Sequence, residues 1–234
     1  MRFSPAILNS LEGSFHHLKA GSTTPSAQRD PQVIETVTRM LADINARGMA
    51  AVVEYSRKLD GWQGGDIELP AKEVAASGAR LPKDLRTAIE LGAKRTQDFA
   101  RETRSHLTGF ETEPVPGVIT GVRYVPVSRV GAYLPAGRFP LTASGFMTVG
   151  VAKAAGVPNV IACTPPQQSG GANDAVVYTA HVSGVDRVFV LGGVQALAAM
   201  AFGLVDDLPV DMLVGAGNAY VAEAKRQLFG QTAI

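Results

Sequence analysis

Apolar and polar positions follow two different rhythms along this chain, and the change falls near residue 118. Before it, apolar residues recur at the three- and four-residue spacing of amphipathic helices. Asp30-Pro31 puts a capping residue ahead of a proline, which suits the first helical position, and Val33, Ile34, Val37, Met40, Leu41 and Ile44 then line one face up to the stop at Gly48. Met49–Leu59 is predicted as a second helix carrying Val52, Val53 and Tyr55. After Leu81-Pro82 a third runs to about Thr103, with Leu85, Ile89, Leu91 and Phe99 as its core positions and a charged, solvated opposite face. Trp62-Gln-Gly-Gly is a loop and Ile67–Leu69 a short strand, while Glu111–Gly117, with its two prolines, is a hinge-like stretch. Ser4–Leu11 is predicted as a short helix ahead of a turn-rich connector at Ala20–Ser26.

Beyond residue 118 the pattern turns β-rich and then alternates. Strands are predicted at Val130–Leu134, Asn159–Cys163, Val188–Leu191 and Met212–Val214, and each is followed by a helical pattern: Leu141–Ala155, Ala172–Val182, Val194–Phe202 and Asn218–Leu228. The strands are continuous apolar runs, as expected where both faces of a sheet are covered, and their alternation with helices implies parallel pairing. The last two units share a device. A short apolar run ends in glycines (Gly192-Gly193, then Gly215-Ala216-Gly217) and passes straight into an alanine-rich helix. In such sheets ligands bind beyond the carboxyl ends of the strands, where these turns lie. The fold class is therefore α/β, with an arm at 1–28, a helix-rich part at 29–127 and a parallel sheet flanked by helices at 128–234.

Composition narrows the class without changing it. Hydrophobic residues make up 46% of the 234, enough for a sizeable core, and 22 basic residues nearly balance 21 acidic ones, so nothing suggests steering toward nucleic acid. The longest apolar runs fall well short of the roughly 20 residues needed to cross a bilayer. The start, Met1-Arg2-Phe3-Ser4-Pro5, lacks the apolar core of a signal peptide. A single cysteine excludes an internal disulfide framework, and a cytoplasmic location is expected. His16 and His17 are neighbours and do not share a helix face, so they are expected at the surface; they, His106 and His181 are too scattered to form a metal site.

Three residues stand out at the ends of the strands. Gln195 and Asn218 sit just inside the starts of the last two helices, each a neutral amide able to donate and accept hydrogen bonds. The glycines beside them let a ligand approach the backbone, and free helix N–H groups favour anions such as phosphate. The plain alternative is that Asn218 only caps its helix and Gln195 only meets solvent. Two amides at equivalent places favour a ligand. Tyr133, near the end of the first strand, belongs to the same edge, where its ring could pack on a nicotinamide or adenine and its hydroxyl bond a ribose; the alternative is a core tyrosine. The dinucleotide fingerprint G-x-G-x-x-G is not met, because Tyr220 takes the place of its third glycine. Cys163 has no histidine near it in sequence and is expected to be structural.

The segments Gly131-Ala-Tyr-Leu-Pro-Ala-Gly137, Gly192-Gly-Val-Gln-Ala-Leu-Ala-Ala-Met-Ala-Phe-Gly203 and Gly215-Ala-Gly-Asn-Ala-Tyr-Val-Ala-Glu-Ala-Lys-Arg226 resemble the histidinol dehydrogenase family in order and spacing. The helical segment Val52-Val-Glu-Tyr-Ser-Arg-Lys-Leu-Asp60 fits as well, so the resemblance covers nearly the whole chain. It implies an incomplete Rossmann-like domain in a zinc-dependent, NAD-linked homodimer that oxidises an alcohol to a carboxylate by two hydride transfers. The family's NAD contacts fall on Tyr133, Gln195 and Asn218. Its zinc ligands and its Glu-His pair for proton transfer belong to a later half, beyond Ala233-Ile234, so no catalytic or metal residue is assigned in this chain. The turn Ala136-Gly137-Arg138-Phe139-Pro140 looks more like paralogues that oxidise other polyols, including sulfonated propanediols. There Arg138 is a candidate cation for an anionic substrate or for the NAD pyrophosphate, with a surface arginine as the alternative. A different class of reading is a non-catalytic nucleotide-binding or dimerising module.

Overall fold

A computed structural model describes residues 30–137, 139–168 and 170–234. Arg138, His16, His17, the arm at 1–28 and the short helix expected at Ser4–Leu11 lie outside the described residues. The elements run α1 (Pro31–Arg47), α2 (Met49–Asp60), β1 (Glu68–Leu69), α3 (Ala71–Ala76), α4 (Lys83–Ser105), β2 (Phe110–Val115), β3 (Val118–Val122) and β4 (Arg129–Tyr133). They continue with α5 (Ala143–Gly145), a π-helical turn (Phe146–Gly150), α6 (Val151–Ala155), β5 (Asn159–Thr164), α7 (Asp174–Val182), β6 (Arg187–Val190), α8 (Gly193–Ala201), β7 (Met212–Val214) and α9 (Ala219–Leu228).

The main sheet has the order β1-β6-β5-β4-β7. Its β4, β5, β6 and β7 pair in parallel, with Val130 opposite both Val160 and Met212, and only the two-residue β1 is antiparallel, on β6. Side chains alternate between two apolar layers. Val130, Ala132, Leu134, Val160 and Ala162 meet Val149, Val176 and Ala180 on one face. Tyr133, Ile161, Cys163 and Phe189 meet α8 and α9 on the other, together with Val37, Met40, Leu41 and Ile44 of α1 and Val52 of α2. The helical stripes read from the first part of the chain therefore close over the sheet built by the second.

Three expectations need correction. The stretch Glu111–Gly117 is no hinge: it forms β2 and the turn of an antiparallel hairpin with β3, Phe110 pairing with Val122, and a register shift between Thr112 and Val115 accommodates Pro114. The hairpin is exposed along both strands. The long helix α4 does form, yet Leu85, Leu91 and Phe99 are exposed, Phe99 to 76%. Ile89 and Ala93 are its buried residues, and Leu85, Leu91 and Phe99 fall off that face. The helix expected over Leu141–Ala155 starts at Ala143 and widens into the π-helical turn before resuming at Val151.

Candidate functional site

The strand order sets where a ligand has room. From β4 the chain steps outward to β5 and β6, then returns past β4 to lay β7 on its other side. The reversal opens a crevice at the carboxyl ends of β4 and β7, the place where open α/β sheets take ligands. Gly215 follows β7 there with φ +117, and a Cβ on it would stand 2.2 Å from the carbonyl oxygen of Tyr133. No side chain fits. Lys225 of α9 donates from Nζ to the Gly215 carbonyl at 2.9 Å and steadies the turn, and burial lowers its pKa.

The turn between β6 and α8 is held from three directions. Gly193 donates its N–H to the hydroxyl of Tyr133 at 3.1 Å. Gly192 donates its N–H to Asp60 Oδ2 at 3.2 Å, and Gln195 Nε2 donates to the same oxygen at 2.7 Å. A Cβ on Gly192 would lie 2.6 Å from that carboxylate, so glycine is what allows the acid to reach the backbone. Gln195 is 1% exposed, and its Oε1 has no hydrogen-bond partner among the described residues. A buried carbonyl oxygen left unpaired is costly, which marks it as an acceptor waiting for a donor. Burial raises the pKa of Asp60, against the lowering effect of the bonds from Gln195 and Gly192. Burial likewise raises that of Tyr133, whose bond from Gly193 works the other way.

Asn218 takes a different part. Its Oδ1 accepts from Tyr220 N and Val221 N, both at 3.1 Å, capping α9. The residue is exposed and faces the same cleft as Gln195, a cavity of about 420 Å³ that Arg39, Tyr55, Lys58, Asp60 and Tyr220 also line. Its Nδ2 is left to donate to a ligand. Tyr133 is buried and touches the site through Gly193 rather than lining the cleft. Sequence reading missed Asp60. Its signal is an acid closing α2 directly after Arg57, Lys58 and Leu59, at the helix end where the dipole favours cations.

Other candidates lie elsewhere. Cys163 is fully buried in β5, and desolvation raises its pKa, so it offers no thiolate. His106 pairs with Glu102 at the exposed end of α4, and His181 stands 6.3 Å from the Tyr178 ring. Among the described residues no group of three or more His, Cys, Asp or Glu side chains is arranged to hold a metal ion. No described helix is long and apolar enough to cross a membrane.

Comparison with known proteins agrees with this fold. The family model described as histidinol dehydrogenase matches residues 23–234. The chain is 43% identical over 216 residues to a sulfopropanediol 3-dehydrogenase of Ruegeria pomeroyi, covering 92% of this chain and 49% of that protein. It is 38% identical over 231 residues to a histidinol dehydrogenase of Chromobacterium violaceum, covering 97% and 52%. A crystal structure of histidinol dehydrogenase from Elizabethkingia anophelis superposes with a TM-score of 0.79 at 30% identity, covering 90% of this chain and 48% of that one. The chain thus spans about half the length of the curated relatives it matches. With the family model spanning residues 23–234 and the fold shared with a solved member, this chain belongs to the histidinol dehydrogenase family.

Proposed function

We propose that this chain forms the NAD-binding half of an NAD-dependent, zinc-requiring dehydrogenase that oxidises an alcohol to a carboxylate. The observation that carries the reading is Gln195, a buried amide with an unpaired carbonyl oxygen, beside the Asn218 helix start in one cleft at the carboxyl edge of the sheet. The residues fit a dinucleotide. Gln195 supplies an acceptor and Asn218 a donor, and Gly193 exposes backbone at the start of α8, whose N-terminus favours an anion. Arg39 and Lys58 add positive charge at the mouth of the cleft. Tyr133 belongs to the same site as the residue that fixes the Gly193 N–H. When bound, NAD accepts hydride; the chain's own share is to hold and orient it.

The described residues do not fit zinc, so no step of the reaction is routed through the metal. Oxidation of a primary alcohol to a carboxylate consumes one water and two NAD, releasing two NADH. The proton transfers of that sequence, the homodimer and the cytoplasmic location rest on membership of the family. A second reading concerns substrate. The likeness to a sulfopropanediol 3-dehydrogenase, with Arg138 five residues beyond Tyr133 in sequence, supports a small anionic diol over histidinol. NADH formation by the protein containing this chain, assayed with histidinol and with sulfopropanediol, tests both readings. Turnover of either alcohol, at two NADH per carboxylate, is expected. No turnover of any alcohol, with NAD bound, would leave the binding-module reading in its place.

A further inference from the structure

The cleft contains an acid that ties the end of α2 to the start of α8. Asp60 is the last residue of α2, after Arg57 and Lys58, where unpaired carbonyls repel a carboxylate and welcome those cations. It is also partly buried, between α2 and the turn that starts α8. Both circumstances oppose a negative charge, and only the donors at the start of α8 work the other way. What the carboxylate does is accept two hydrogen bonds on one oxygen, from the Gly192 backbone at 3.2 Å and from Gln195 Nε2 at 2.7 Å.

A glutamine amide can present either end, because rotation about its last bond exchanges oxygen for NH2. The Gly192 N–H removes the choice. It demands an acceptor at the position of Oδ2, and an acceptor there takes only the NH2 end of Gln195. The other end, Oε1, is then left buried and unpaired, 3.2 Å from where a Cβ of Gly193 would be. Resting on the NAD reading of the cleft, we propose that Asp60 is a positioning residue for the cofactor. It locks the Gln195 amide so that its carbonyl oxygen receives a hydrogen-bond donor of the dinucleotide, an amide or amino N–H or a ribose hydroxyl. The effect of Asp60 on the cofactor runs through Gln195.

A double-mutant cycle read by calorimetric titration with NAD tests this. Asp60→Ala is expected to weaken binding about 10-fold, the scale of one hydrogen bond misdirected, as is Gln195→Ala. Asp60→Asn, which still offers an oxygen at the same place, is expected to stay within about 3-fold of the parent, a spread below one net hydrogen bond. The double variant Asp60→Ala/Gln195→Ala is expected to bind no more weakly than Gln195→Ala alone, since Asp60 acts through the amide. Losses that multiply in the double variant, or an Asp60→Asn as weak as Asp60→Ala, overturn the proposal while leaving NAD binding intact. Failure of the parent chain to bind NAD overturns the cofactor reading and this inference together. If Asp60→Ala does not fold, the Gln195 side-chain NH2 resonances of the parent and Asp60→Asn decide. Slow solvent exchange in both supports the lock, and fast exchange in the parent overturns it.

Discussion

The β6–α8 and β7–α9 units look alike in sequence and differ in what their amides do. Each is a short apolar strand, a glycine turn and an alanine-rich helix with one amide at its start. In the first, Gln195 is buried, its NH2 tied to Asp60 and its oxygen unpaired. In the second, Asn218 is exposed, its oxygen used on the backbone of its own helix and its NH2 facing the cleft. The two amides stand at different helix positions, the cap itself for Asn218 and the first turn for Gln195, and that decides the outcome. Asn218 accepts from the second and third N–H groups beyond it, as capping requires. Gln195, three residues after the cap position at Gly192, reaches a partner on another helix instead. One cleft thereby receives an acceptor from one unit and a donor from the other.

The turns differ as much as the amides, and the largest effect is expected there. An added Cβ at Gly215 meets backbone, the Tyr133 carbonyl oxygen, which cannot move without parting β4 from β7. At Gly192 it meets the Asp60 side chain, which can swing away. Gly215→Ala should cost at least about 3 kcal/mol, lowering Tm by roughly 6–12 °C. Gly192→Ala should cost less stability and more NAD affinity. Thermal unfolding and titration of both variants would break the comparison if the order were reversed.

Next come the amides themselves. Gln195→Leu keeps volume but leaves the Asp60 carboxylate without its side-chain donor, and should cost about 1.5–3 kcal/mol of stability in chemical denaturation. Asn218→Ala removes a cap, worth about 1 kcal/mol. Asn218→Ser sharpens the contrast. A serine still caps, so stability should nearly return, while the loss of the NH2 donor should keep NAD binding weak.

The smallest effect is electrostatic. The pKa of Asp60 is raised on folding, so its contribution to stability is present at low pH and is lost as pH rises through the folded-state value. At neutral pH the ionised acid is therefore a liability. Asp60→Asn should raise Tm at pH 7 to 8, and the gain should vanish as the pH falls below the range in which Asp60 ionises. Calorimetry across that range checks the sign.

Much of the sheet was legible because buried parallel strands are short apolar runs that glycine ends sharply. Met212–Val214 was readable to the residue, and Val130–Leu134 and Asn159–Cys163 to within one. The convergence of Gln195 and Asn218 followed from the equivalence of two units. The misses share a cause, which is that tertiary contact decides them. Phe99 and Leu91 are apolar enough for a core, yet α4 packs through Ile89 and Ala93. Prolines at 114 and 116 argued against strand, but an exposed two-stranded hairpin has free edges where a missing N–H is harmless. Asp60 stayed hidden because its partners, Gly192 and Gln195, lie more than 130 residues away. Of the two readings open for the Tyr133 ring, the core one describes where it lies, in the layer under α8, while its hydroxyl reaches the turn at Gly193.

One measurement bears most directly on the claim that the two units make a single NAD site. In amide correlation spectra of the chain titrated with NAD, the Gln195 side-chain NH2, the Gly193 and Tyr220 backbone signals and the Asn218 side-chain NH2 should shift together along one binding curve. Signals of the β2–β3 hairpin should stay in place. Shifts confined to the hairpin, or Gln195 and Asn218 titrating with different affinities, would contradict the account.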